Sequence, residues 1–186
     1  MYMQNTINTD SQYDQVIKAC KDIFLKKTTD YGTSWRVLRL ISVTDQVFIK
    51  AQRIRTIQEK RHQKVGDDIV SEFIGIINYG VIGLIQMELN DLSMDDMDVA
   101  TVERLYDDKV AFAKRIMADK NHDYGEAWRE MNQESFVDLI LMKLLRVRQI
   151  LQNEGKTIIS EGIDANFTDI INYAVFALLL IEEGKH

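Results

Sequence analysis

Two lysines occupy positions that chains usually reserve for apolar residues. Lys50 falls inside a stripe of Val43, Val47, Ile54 and Ile57, and Lys143 inside one of Phe136, Ile140, Leu144, Val147 and Ile150. These spacings put each lysine on the apolar face of a helix. A lone ammonium there is costly unless a carboxylate meets it. Arg53 and Arg146 stand one turn further on. Two chemistries fit. One is an internal ion pair with the motif acids Asp30 and Asp123, docking a loop onto the helix. The other is a Lys/Arg pocket for phosphate or carboxylate, bound by charge-assisted hydrogen bonds. Both can hold, since an Asp–Lys pair would still leave Arg53 or Arg36 for a ligand.

Every one of these residues occurs twice. At an offset of 93, Lys27, Asp30, Tyr31, Gly32, Trp35 and Arg36 fall on Lys120, Asp123, Tyr124, Gly125, Trp128 and Arg129. Ser42, Asp45, Lys50, Arg53, Arg55 and Ile57 fall on Ser135, Asp138, Lys143, Arg146, Arg148 and Ile150. That is 12 identities over residues 27–57, where unrelated chains give about two. After one inserted residue, the run Ile76, Ile77, Asn78, Tyr79 meets Ile170, Ile171, Asn172, Tyr173. The chain is a tandem duplication: a first module over 1–90, an acidic linker over 91–100 and a second module over 101–186, together one compact unit.

Each module reads as a long helix, a motif loop, a short helix and two long helices. The first helix starts near Ser11, with Asp14 as a capping-box variant, and its counterpart runs from Thr101 to Lys120. Gly32 and Gly125 punctuate the loop, where φ > 0 or a close approach calls for glycine. The next long helix opens at Ser42 and Ser135, with Asp45 and Asp138 at the capping position. Trp35 and Trp128 read as core anchors, and Asn78 and Asn172 as buried amides bonded to a partner helix. The linker acids read as caps for the helix that follows. These elements predict an all-α, internally duplicated helical bundle, its two modules facing across a pseudo-two-fold axis, because a module this small buries little core alone.

The acids do not repeat. Asp169 has Gly75 as its counterpart, and Glu72 has Asn166. Glu161 and Asp164 flank the second site, and Asp67 and Asp68 the first. The residues nominated for ligand binding are Asp30, Tyr31, Arg36, Lys50, Arg53, Asp123, Tyr124, Arg129, Lys143, Arg146 and Asn172. Asp169 is the one candidate metal ligand, so the second module is the better candidate for activity.

The combination Lys-x-x-Asp-Tyr-Gly-x-x-Trp, then Lys-x-x-Arg, then Ile-Asn-Tyr resembles the first nucleotide-modification-associated domain family, long known only as a domain of unknown function. The resemblance spans Lys27–Tyr79 and Lys120–Tyr173. It implies an all-α domain tied to nucleotide or DNA-base modification. A wider resemblance is to the all-α nucleoside-triphosphate pyrophosphohydrolases, which hold Mg²⁺ with acidic pairs on neighbouring helices. Here Ile49 and Met142 stand where one of those acids would be, and only Asp169 fits another.

Composition narrows the partners. A net charge of -6 argues against general nucleic-acid binding through a basic face. Cys20 is the only cysteine and there is no zinc-like Cys/His cluster, which fits a reducing, cytoplasmic setting. The N-terminal residues carry no signal-peptide pattern. The apolar runs Phe73–Ile85 and Ile170–Ile181 read as core helices too short for a bilayer. There is no proline, as suits helices joined by short turns. Three readings remain open: a nucleotide or other phosphate-bearing small molecule held in a Lys/Arg pocket, a Mg²⁺-dependent pyrophosphohydrolase, and a non-enzymatic scaffold. A homo-oligomer is compatible with each.

Overall fold

A computed structural model describes residues 8–61, 68–159 and 161–185. Its helices are α1 (Thr9–Tyr31), α2 (Leu40–Lys60), α3 (Ile69–Leu89), α4 (Val99–Tyr124), α5 (Gln133–Gln152) and α6 (Ile163–Glu182). Short 3₁₀ turns cover Ser34–Val37 and Ala127–Glu130, and no strand occurs among the described residues. The order of the first half repeats in the second, as the duplication requires.

The apolar stripes of α2, α3, α5 and α6 close into a central four-helix layer, and α1 and α4 lie across α3 and α6. One continuous core runs through both halves. By length and composition α3 and α6 could each cross a bilayer, which corrects the expectation that these segments are too short. Burial against each other explains their apolarity.

The halves are joined by reciprocal bonds. The Tyr13 hydroxyl on α1 donates to Asn172 Oδ1 on α6, and the Tyr106 hydroxyl on α4 donates to Asn78 Oδ1 on α3, each at 2.8 Å. Each amide also donates, Asn78 to the Cys20 carbonyl and Asn172 to the Ala113 carbonyl, both at 3.1 Å. Burial pushes both phenols well above the ordinary tyrosine range, so they stay neutral donors. It pushes the Cys20 thiol up to about 12, which keeps that thiol unreactive. On the α1–α4 surface, Lys21 meets Asp107 and Lys114 meets Asp14, both at 2.8 Å.

Several helix starts differ from expectation. α1 begins at Thr9, capped by Asn8, and Asp14 serves Lys114 instead of a capping box. α2 and α5 begin two residues before Ser42 and Ser135 and have no side-chain cap. Asp45 and Asp138 therefore lie in the second turn, where they face the other module. Asp45 accepts from Arg148 at 2.8 Å, and Asp138 lies 3.7 Å from Arg55. The linker behaves as read: the Asp98 carboxylate caps α4 through the Thr101 amide at 2.9 Å.

Tyr13→Phe should lower the unfolding free energy by about 1–3 kcal/mol, because it leaves Asn172 Oδ1 buried without its donor. The measurement is the urea midpoint at unchanged m-value. An unchanged midpoint would show that the bridge contributes nothing.

Candidate functional site

The repeated motif builds two equivalent clefts. Each lies between the C-terminal turn of the crossing helix, the 3₁₀ turn after it, and the amide-bearing core helix. The first, about 620 Å³, is lined by Lys27, Tyr31, Trp35, Lys50, Gly75 and Tyr79 among others. The second, about 390 Å³, is lined by Lys120, Tyr124, Trp128, Asp169, Asn172 and Tyr173 among others. Tyr31 and Tyr124 stand at the lips, 71% and 74% exposed. Asn78 and Asn172 line the clefts while tied to the opposite module.

Buried Lys143 and half-buried Lys50 both find acids, but not the expected ones. Lys143 Nζ meets Asp169 Oδ2 at 2.6 Å, and Lys120 meets Asp169 Oδ1 at 2.7 Å. Burial pulls the Lys120 ammonium down, but its bond and attraction to Asp169 outweigh that and hold it above the ordinary lysine value. In the first module Lys50 lies 3.4 Å from Glu72, which also takes Arg53. The acid has moved back one turn, from the position of Asp169 to that of Glu72. Gly75 leaves the room: a Cβ there would lie 2.8 Å from Lys50 Cε. Asp30 and Asp123 are exposed helix-end residues outside both clefts, and Asp123 meets its neighbour His122 at 3.1 Å. The expected lysine pairs with these two acids are thus replaced by pairs to α3 and α6, because the motif aspartates point away from the apolar seam.

The motif arginines anchor the loops. Buried Arg36 donates to Gln86 and to Asp91 at 2.6 Å, and Gln86 in turn donates to the Arg36 and Leu38 carbonyls. Gly32 takes φ 65° and ψ -152°, open only to glycine, and Asp96 accepts from the Thr33 amide beside it at 2.9 Å. Arg129 bonds Glu126, Glu183, Thr9 and Gln12. Neither arginine lines a cleft. Arg146 is exposed and opens onto a separate surface hollow beside Ile158 and Glu161.

Mg²⁺ binds through one or more carboxylates. Among the described residues the first cleft has none in its lining. In the second, both oxygens of Asp169 already accept from ammonium groups. Among the described residues no group of three or more His, Cys, Asp or Glu could hold a metal. Asp68 caps α3, Asp164 and Glu161 are exposed, and Asp67 lies outside the described residues. These residues do not fit a Mg²⁺ centre.

The family model for nucleotide modification associated domain 1 matches residues 27–87 and 120–181. The chain belongs to that family. Each match spans one motif, one acid-paired helix lysine and one amide-bearing helix, so the two domain copies coincide with the two clefts. Nothing among curated proteins or solved structures matches the chain. What sequence reasoning missed in these domains is the pairing of Lys50 with Glu72 and of Lys143 with Asp169. The signal was present, since Glu72 and Asp169 are acids in apolar runs.

Asp169→Asn strands the Lys143 charge, which is 7% exposed, in the core. It should cost about 3–5 kcal/mol of stability, read by denaturant unfolding. Lys143→Met with Asp169→Leu should recover most of that loss. A single variant as stable as the parent would show that the pair is not needed.

Proposed function

We propose that the chain binds a nucleotide, or another phosphate-bearing small molecule, in the first cleft. One observation carries the reading: Lys27 and Lys50 line the same cleft, and among the described residues no carboxylate does. Lys27 has no ion-pair partner among the described residues, and the Lys50 ammonium lies 5.9 Å from the centre of the Tyr79 ring. Lys27, and Lys50 held only at 3.4 Å by Glu72, supply ammonium groups that suit a phosphate. Tyr31, Trp35 and Tyr79 offer faces for a base or sugar. The volume falls within the usual range for small-ligand sites, about 300–1,000 Å³.

The reading reverses the preference for the second module. There the position of Gly75 carries Asp169, which already engages both Lys120 and Lys143 and leaves neither ammonium unpaired for a phosphate. A purely structural motif calls for closed ion pairs with no adjoining cavity, whereas a cleft adjoins each copy here. A single buried cysteine suits action in the reducing cytoplasm.

Calorimetric titration with nucleoside mono- and triphosphates and with inorganic pyrophosphate should show binding that weakens as salt rises. Lys27→Gln, at an exposed position, should weaken it about tenfold without changing the melting temperature. No binding by any of these compounds, or full affinity in Lys27→Gln, would count decisively against the proposal.

A further inference from the structure

The linker between the halves has no copy elsewhere in the chain, and its residues fall into two groups. One group ties it down. Asp91 accepts from Arg36 at 2.6 Å, Asp96 accepts from the Thr33 amide at 2.9 Å, and the Met97 amide donates to the Thr33 hydroxyl at 3.0 Å. The other group faces water. Leu92 is more than half exposed and Met94 is 92% exposed. Exposed Asp95 has no ion-pair partner among the described residues. A strap pinned on both sides thus displays two apolar side chains and one carboxylate, already ordered for contact.

A second apolar surface lies at the same end of the bundle. Gly80 and Gly83 on α3 face Ile171 and Phe167 on α6 in reverse order, so these helices run antiparallel. The end of α3, where the strap begins, therefore adjoins the start of α6. There the hollow beside Arg146, about 850 Å³, opens between α5 and the loop into α6. Met142 and Leu145 line it from α5, and Ile158 and Ile159 from the loop. All four are exposed, the two isoleucines almost wholly. Adjoining exposed apolar side chains of this kind mark a contact surface. Of the charged groups in the lining, Lys156 bonds Glu154 at 3.2 Å and Glu161 stands just before α6. Arg146 has no ion-pair partner among the described residues. The hollow thus sets an unpaired guanidinium among apolar side chains, and the strap sets an unpaired carboxylate beside them.

We infer that this end of the bundle is an interface between two copies of the chain. The Leu92–Asp95 strap of each copy enters the α5–α6 hollow of the other, with Met94 against Ile158 and Ile159 and Asp95 on Arg146. Strap and hollow share one end of the molecule, so a two-fold axis through that end makes both contacts at once. The pairing stands apart from ligand binding in the first cleft.

Sedimentation velocity of the full chain across a dilution series is the test. At the higher concentrations the chain should sediment with twice its own mass. Asp95→Arg and Arg146→Asp, both at exposed positions, should each weaken self-association about tenfold or more, because each sets like charges together at both contacts. Met94→Gln should weaken it as well, through lost apolar contact. None of the three should lower the melting temperature of the dilute chain. Mixed in equal amounts, Asp95→Arg and Arg146→Asp should regain the affinity of the parent, because each chain then meets the opposite charge at both contacts. A chain that stays monomeric at every concentration overturns the inference. So does a dimer that any one of the three substitutions leaves unchanged, or a mixture that associates no more tightly than its components, since such a dimer uses another face.

Discussion

Two buried amides set the geometry on which everything else depends. Asn78 and Asn172 each accept a phenol from the opposite module and donate to a carbonyl in the middle of a helix of their own. An amide so deep in an apolar helix has little alternative, since leaving its groups unpaired would be costly. To satisfy both ends, α1 and α4 must lie within hydrogen-bond reach of α3 and α6. That requirement fixes where the crossing helices end, hence where the motif loops turn and where the clefts open. The amides themselves form part of the cleft walls, so packing and site cannot be varied separately.

Lys50 and Lys143 show how one demand can be met in two ways. Each needs an acid, and the two modules supply it from positions one helical turn apart. In the second, Asp169 serves two lysines and enters the cleft. In the first, Glu72 serves Lys50 and Arg53 from outside it. The stability of the core is served in both cases, but the electrostatic character of the cleft is not the same. The two clefts therefore carry different charged side chains in their walls.

Much of this was readable before any coordinates. The repeat, the all-helical class and the buried position of Lys143 follow from spacing alone, whereas Lys50 is only half-buried. So does the structural bonding of Asn78 and Asn172, because a polar residue in an apolar run must find a partner. The partners were another matter. Asp30 and Asp123 are near in the motif but on the wrong side of their helices, while Glu72 and Asp169 are distant in sequence and adjacent in space. Asp45 and Asp138 looked like caps because serines precede them, yet their helices start earlier and they reach Arg148 and Arg55 across the interface. Periodicity reports which face of a helix is buried. It carries no information on which other helix lies there.

The reciprocity of Tyr13 with Asn172 and Tyr106 with Asn78 has a historical implication. Bonds that run from each half to the other, in the same pattern both ways, are the bonds of a symmetric homodimer. A single-module ancestor would have made the same bundle from two separate polypeptides, with two identical clefts bound to change together. Two halves in one chain are free of that constraint. From then on an acid could shift on one side without shifting on the other, and a symmetric assembly could acquire two unlike faces.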